Sequence, residues 1–209
     1  MKDMLKMGLF LFVVASVAGI LLAITEEITA PKIAANKKAL LEQARKEVLP
    51  QAASFSQNEF KAENGQSSLT YSAGFDQQGN MTGVVVNVYP KGYAGAIEMV
   101  VGMSKEGKIS GVKILSQKET PGLGTKLADP VFMEPFKKLV ESKDQPNFMV
   151  KQDGGDVDAI TAATISSRAF CAGIRNSIDI FNAIKPQFES LKPPAALPAP
   201  TAPVTGGAQ

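Results

Sequence analysis

Residues 69–89 read LTYSAGFDQQGNMTGVVVNVY, and this stretch decides the fold. Residues 69–75 and 81–89 flank DQQGN at 76–80, where Asp, Gly and Asn supply the backbone angles of a hairpin turn. Val84, Val85 and Val86 are β-branched and suit a pleated, buried surface. The same grammar follows at once, with residues 97–103 and 108–115 flanking SKEG at 104–107. Successive hairpins predict an antiparallel sheet.

Beyond the sheet the period changes. Residues 130–140 predict a short helix and residues 166–184 a longer one. In the longer helix Phe170, Ile174, Ile178 and Phe181 recur three or four apart and face a core. Cys171 reads as a small buried hydrophobe there. Residues 148–151 carry one more expected strand. The fold class is α+β, an antiparallel sheet flanked by helices.

Residues 7–25, MGLFLFVVASVAGILLAIT, contain no charge. At about 1.5 Å per residue they can cross a hydrocarbon core of about 30 Å. A cleaved signal peptide has a shorter apolar region, about 7–15 residues, and a small-x-small cleavage site. This run is longer and leads into Glu26 and Glu27, so an uncleaved transmembrane anchor is expected, with residues 1–6 as a cytoplasmic tail. Lys2 and Lys6 on one side nearly balance Lys32, Lys37 and Lys38 on the other. An extracytoplasmic domain on a single-pass inner-membrane anchor therefore rests on the habit of signal anchors. The uncharged span offers no intramembrane ion site. Residues 26–59 read as a helical stalk, with Ile33, Leu40, Leu41, Ala44 and Val48 in an apolar stripe and Pro50 closing it. The main domain is expected over residues 60–190, followed by a disordered Pro/Ala-rich tail over 191–209.

Composition removes whole classes of chemistry. The chain of 209 residues has 22 basic and 20 acidic residues, no His and one Cys. A Ser/His/Asp or Cys/His triad, a His-held haem or zinc, and a cysteine-held iron–sulfur cluster are all excluded. No basic stripe interleaved with aromatics points to nucleic acid. Redox chemistry, if present, belongs to an organic cofactor.

Chemistry concentrates in short segments. Residues 158–167 read DAITAATISS, small hydroxyl residues ahead of a strong helix. One reading is an N-cap, in which a hydroxyl accepts from the free first-turn amides. The other places a phosphate at those amides, with Thr164 beside it. Residues 119–124 read ETPGLG, a Pro-initiated, glycine-rich bend. It reads either as a plain connection or as a backbone that a ligand can approach.

Asp158, Thr161, Ala163, Thr164 and Ser166 resemble the flavinylation signature of FMN-binding domains, an Asp followed by Ser/Thr-Gly-Ala-Thr. Ala162 stands where that signature usually has Gly. ETPGLG resembles the matching element of RnfG, a component of the Rnf ferredoxin:NAD oxidoreductase, and, more distantly, of NqrC, its counterpart in the sodium-pumping NADH:quinone oxidoreductase. Gln117 takes the place where many relatives have His. GYAGAI at 92–97, the hairpin around 102–109 and the anchor fit the same arrangement, so the resemblance spans roughly residues 5–185.

The resemblance implies FMN joined through its phosphate to Thr164 by a separate flavin transferase, which would recognise Asp158, Thr161, Ala163 and Thr164. Glu119, Thr120, Leu123 and Gly124 would line the ring pocket, with Leu123 against the ring. Thr161, Ala162 and Ala163 would lie at the phosphate. Lys151 would neutralise charge there, or be a plain strand-end lysine. The implied function is electron relay among the other membrane subunits of an Rnf-type ion-translocating complex, without catalysis by this chain alone. The alternatives are the NqrC role in the quinone reductase, a cofactor-free exported tether and a soluble exported binding protein.

Overall fold

A computed structural model describes residues 2–61, 68–143 and 146–194. The chain divides into two compact units, Met1–Glu42 and Gln43–Gln209. Residues 2–42 of the first unit belong to helix α1, Lys2–Val48, 47 residues long. Its residues Phe10, Leu11, Phe12 and Leu22 are exposed. By length and composition this helix is apolar and long enough to cross a membrane.

The stalk expected over residues 26–59 is not a separate element. α1 continues through Pro31 to Val48, and strand β1, Ser54–Lys61, begins within the expected stalk and runs past its end. Pro31 removes one amide donor, but helical turns on both sides carry the chain past it. β1 escapes sequence reading because SFSQNEFK has little alternation; its strand character comes from pairing along its full length with β2.

The second unit is built on five strands in the order β1-β2-β3-β4-β5. β2 is Ser68–Phe75, β3 Met81–Val88, β4 Glu98–Ser104 and β5 Ile109–Ser116. Every neighbouring pair is antiparallel, as the hairpin signals require. In the first predicted turn the Asp76 carboxylate accepts from the amides of Gln78 and Asn80 at 2.9 and 2.8 Å. Gly107 turns the second at φ 93°.

The sheet has two buried faces. On one, Val84, Val86, Met99 and Val101 join a core with Phe170, Ile174 and Phe181 of α3, Thr164–Ile184. Helix α2, Pro130–Ser142, adds Phe132 and Phe136, whose rings meet Phe170 edge-on with centroids 5.1 and 5.0 Å apart. Such pairs add about 0.5–1.5 kcal/mol beyond their burial. Cys171 lies in the same core, and burial pushes its thiol up to about 11.

On the opposite face, glycines make room for residues 48–52. A Cβ at Gly102 would lie 2.3 Å from the Val48 carbonyl oxygen, and one at Gly74 2.6 Å from the Leu49 side chain. Ser110 Oγ donates to that same Val48 carbonyl at 2.6 Å.

The strand expected over residues 148–151 does not form. Val150 makes one isolated parallel bridge to Val157, and Lys151–Asp153 is a 3-10 turn. Gly154, at φ 83°, sends the chain back before a ladder can extend. Most of the Pro/Ala-rich tail, residues 195–209, lies outside the described residues.

Candidate functional site

Three chain segments converge on a cleft of about 520 Å³. The first is the tight turn after β3, where Lys91 bridges Ala96 and the Gly92 amide donates to Gly95 at 2.7 Å. The second is ETPGLG, which leaves β5 and enters the 3-10 turn Gly124–Ala128. The third is the start of α3. Tyr93 comes from the first, Glu119, Thr120, Leu123 and Gly124 from the second, and residues 162–166 from the third.

Glu119 ties the segments together. It is only 4 % exposed. Its carboxylate accepts from the Ala94 amide at 3.0 Å, from the Tyr93 amide at 3.3 Å and from the Ser166 hydroxyl in a short bond. Burial pushes its pKa up, but these donors and the Gly95 amide outweigh it and hold the carboxyl below its ordinary value. Neighbouring glycines give it space. A Cβ at Gly92 would lie 2.5 Å from its Oε1, and one at Gly124 2.6 Å from its Oε2. The Gly122 amide donates to Thr125 Oγ1 at 3.0 Å, which closes the bend.

The start of α3 is held by consecutive serines. Ser166 faces Glu119, while Ser167 accepts from the Ile160 amide at 2.9 Å and donates to the Ala163 carbonyl at 3.1 Å. Between Ile160 and Ala163 the chain passes through Ala162 at φ 62°, the one positive-φ residue other than glycine among the described residues. Ala163 occupies the N-cap and makes no side-chain cap. The N-cap reading of the hydroxyl residues is therefore not realised. Thr164 is instead the first residue of the helix, beside first-turn amides that no side chain caps.

The sequence-derived residues divide in two. Thr164, Glu119, Thr120, Leu123, Gly124, Ala162 and Ala163 line one cleft. Thr161, Asp158 and Lys151 are exposed and are not among its lining. Lys151 Nζ donates to the Asp158 carboxylate at 2.8 Å, so the expected charge neutraliser is already engaged by a carboxylate. Sequence reasoning assigned no role to Tyr93 or Ile165, both cleft walls. The glycines flanking Tyr93 were the available signal for it; Ile165 offered none.

An FMN-binding domain model matches residues 92–179, and an RnfG N-terminal region model matches residues 1–48. The G-subunit of the Na(+)-translocating ferredoxin:NAD(+) oxidoreductase complex of Acetobacterium woodii is 34 % identical, covering 86 % of this chain and 92 % of that one. The G-subunit of the ion-translocating oxidoreductase complex of Methanosarcina acetivorans is 32 % identical, covering 87 % and 96 %. Among solved structures, Shewanella oneidensis NqrC is 18 % identical with a TM-score of 0.46, covering 70 % of this chain and 74 % of that one. From the two family matches and these relatives, the chain belongs to the RnfG family, the G-subunits of ion-translocating oxidoreductase complexes, with an FMN-binding domain over residues 92–179.

Proposed function

We propose that this chain is the FMN-carrying electron-transfer subunit of an Rnf-type complex, with the flavin joined through its phosphate to Thr164 Oγ1. The observation that carries the reading is the place of Thr164, at the first position of α3 and on the wall of the cleft closed by ETPGLG. Uncapped first-turn amides and the positive end of the helix dipole favour a phosphate at that hydroxyl. The cleft beside it, about 520 Å³, has room for a bulky group, with Thr120 and Leu123 on its wall.

The protein's part is to bind and orient. Glu119 and Ser166 hold the cleft walls in register, and Ser167 holds the turn that presents Thr164. When bound, FMN supplies one- and two-electron redox chemistry.

Attachment is the work of a separate flavin transferase that takes FMN from FAD. The phosphorus–oxygen bond to AMP breaks, the bond to Thr164 forms, AMP leaves and the hydroxyl proton is released. Asp158 and Thr161, exposed ahead of the helix, suit recognition by such an enzyme together with Ala163 and Thr164. α1 spans the membrane, with the FMN domain on the extracytoplasmic side, where a covalent tie keeps a scarce cofactor from being lost.

In-gel fluorescence tests the attachment. The full chain, produced with a flavin transferase, gives a fluorescent band that Thr164→Val removes while the variant stays folded by circular dichroism. A fluorescent band in the folded variant refutes Thr164 as the acceptor.

A further inference from the structure

Outside α1, few described residues leave a large apolar side chain in solvent: Tyr89, Tyr93, Leu123, Val131 and Ile165. Tyr93, Leu123 and Ile165 are all walls of the cleft that holds Thr164. They are 71 %, 38 % and 51 % exposed. Apolar side chains gathered from three separate segments around one concavity mark a surface that something covers.

The Tyr93 backbone is not loose. Its amide donates to the buried Glu119 carboxylate, and the turn that carries it closes through Gly92 and Gly95. The loop is pinned while the ring projects. An aromatic ring presented in this way offers a flat apolar face to another flat ring.

We infer that Tyr93 is a direct contact of the isoalloxazine ring, forming with Leu123 and Ile165 the apolar clamp that covers it. This rests on the reading that Thr164 carries FMN. The FMN-binding domain match, residues 92–179, contains all three side chains, and Ile165 is the neighbour of Thr164 in the chain. The backbone of Tyr93 serves the scaffold through Glu119, and its side chain serves the cofactor.

Fluorescence lifetime tests this. A phenol touching an excited flavin gives it an electron and takes it back, which shortens the emission without net chemistry. Flavin-loaded full chain in detergent is compared as wild type, Tyr93→Phe, Tyr93→Ser and Tyr89→Phe, with loading of the Thr164 peptide read by mass spectrometry in each. Tyr89 is exposed but is not among the cleft lining, so it serves as the control. The expected result is a longer lifetime in both Tyr93 variants, greater quenching by added iodide in Tyr93→Ser, and no change in Tyr89→Phe. Should Tyr93→Ser fail to load, Tyr93→Phe decides alone. Wild-type lifetimes in loaded Tyr93 variants overturn the Tyr93 assignment and leave the Thr164 reading intact. Absence of FMN from the Thr164 peptide of the wild-type protein overturns both.

Discussion

The Ser166 hydroxyl donates to the Glu119 carboxylate, joining the first turn of α3 to the loop that follows β5. These residues are 47 apart in the chain, and both are buried. The bond is therefore a tertiary fastening between the segments that hold Thr164 and ETPGLG. Hydrogen bonds to charged groups contribute about 1.5–3 kcal/mol when both partners are present. Glu119→Gln and Ser166→Ala should each destabilise the protein, by about 1–3 kcal/mol. The double variant should cost less than the sum of the two, with a coupling of about 0.5–3 kcal/mol measured by denaturant unfolding. Strict additivity would mean that the contact does not couple the two segments.

Acid should loosen this fastening. A carboxylate held below its unfolded pKa stabilises the native state above that unfolded value and loses the contribution as pH falls through the folded one. Glu119 has an ordinary value of 4.5 and lies below it in the fold, where the Ser166 and backbone donors outweigh burial. Its contribution is complete at neutral pH and declines below about pH 5. Asp76, Asp153 and Asp156 shift in the same direction, so the informative quantity is the difference between wild type and Glu119→Gln. That difference should shrink as pH falls through the acid range; a difference independent of pH would show that Glu119 is not ionised in the fold.

Glycines on either side of Tyr93 make a paired test. A Cβ at Gly92 would lie 2.5 Å from Glu119 Oε1, whereas one at Gly95 would meet nothing within 4 Å. Gly92→Ala should displace the carboxylate and lower stability by about 1–3 kcal/mol, with Gly95→Ala near neutral. Equal effects in thermal melts would contradict the packing of Glu119 against this turn.

Ala162 adopts φ 62°, a left-handed conformation that costs an L-residue about 1–2 kcal/mol. Glycine removes that cost but adds about 0.5–1 kcal/mol of chain entropy in the unfolded state. Ala162→Gly should therefore stabilise by up to about 1 kcal/mol, and Ala162→Val should destabilise, because a β-branched residue fits this region worst. A less stable glycine variant would show that Ala162 is not strained.

Much of this was legible in the chain. The DQQGN and SKEG turns announced the hairpins, and the spacing of Phe170, Ile174 and Phe181 announced the buried face of α3. β1 was not legible, because its polar sequence becomes a strand only through its partner. The strand expected over residues 148–151 failed for the opposite reason, since an apolar run means little once Gly154 reverses the chain. In the cleft, ETPGLG and residues 162–164 carried local signals of backbone freedom and helix initiation. Tyr93 had its neighbouring glycines as a signal and Ile165 had none, and both become cleft walls only when three segments meet. Lys151 looked like a free cation and is engaged by Asp158, a pairing across the Gly154 turn that spacing alone does not reveal.

The central claim is that Thr164 carries FMN through a phosphoester. Trypsin, cutting after Lys151 and Arg168, releases residues 152–168 as one peptide. Mass spectrometry of this peptide, from full-length protein in membranes that contain a flavin transferase, is the most direct test. The account predicts a peptide heavier by one FMN less water, with fragment ions placing the addition on Thr164. An unmodified peptide, or an addition on Thr161, Ser166 or Ser167, would contradict it.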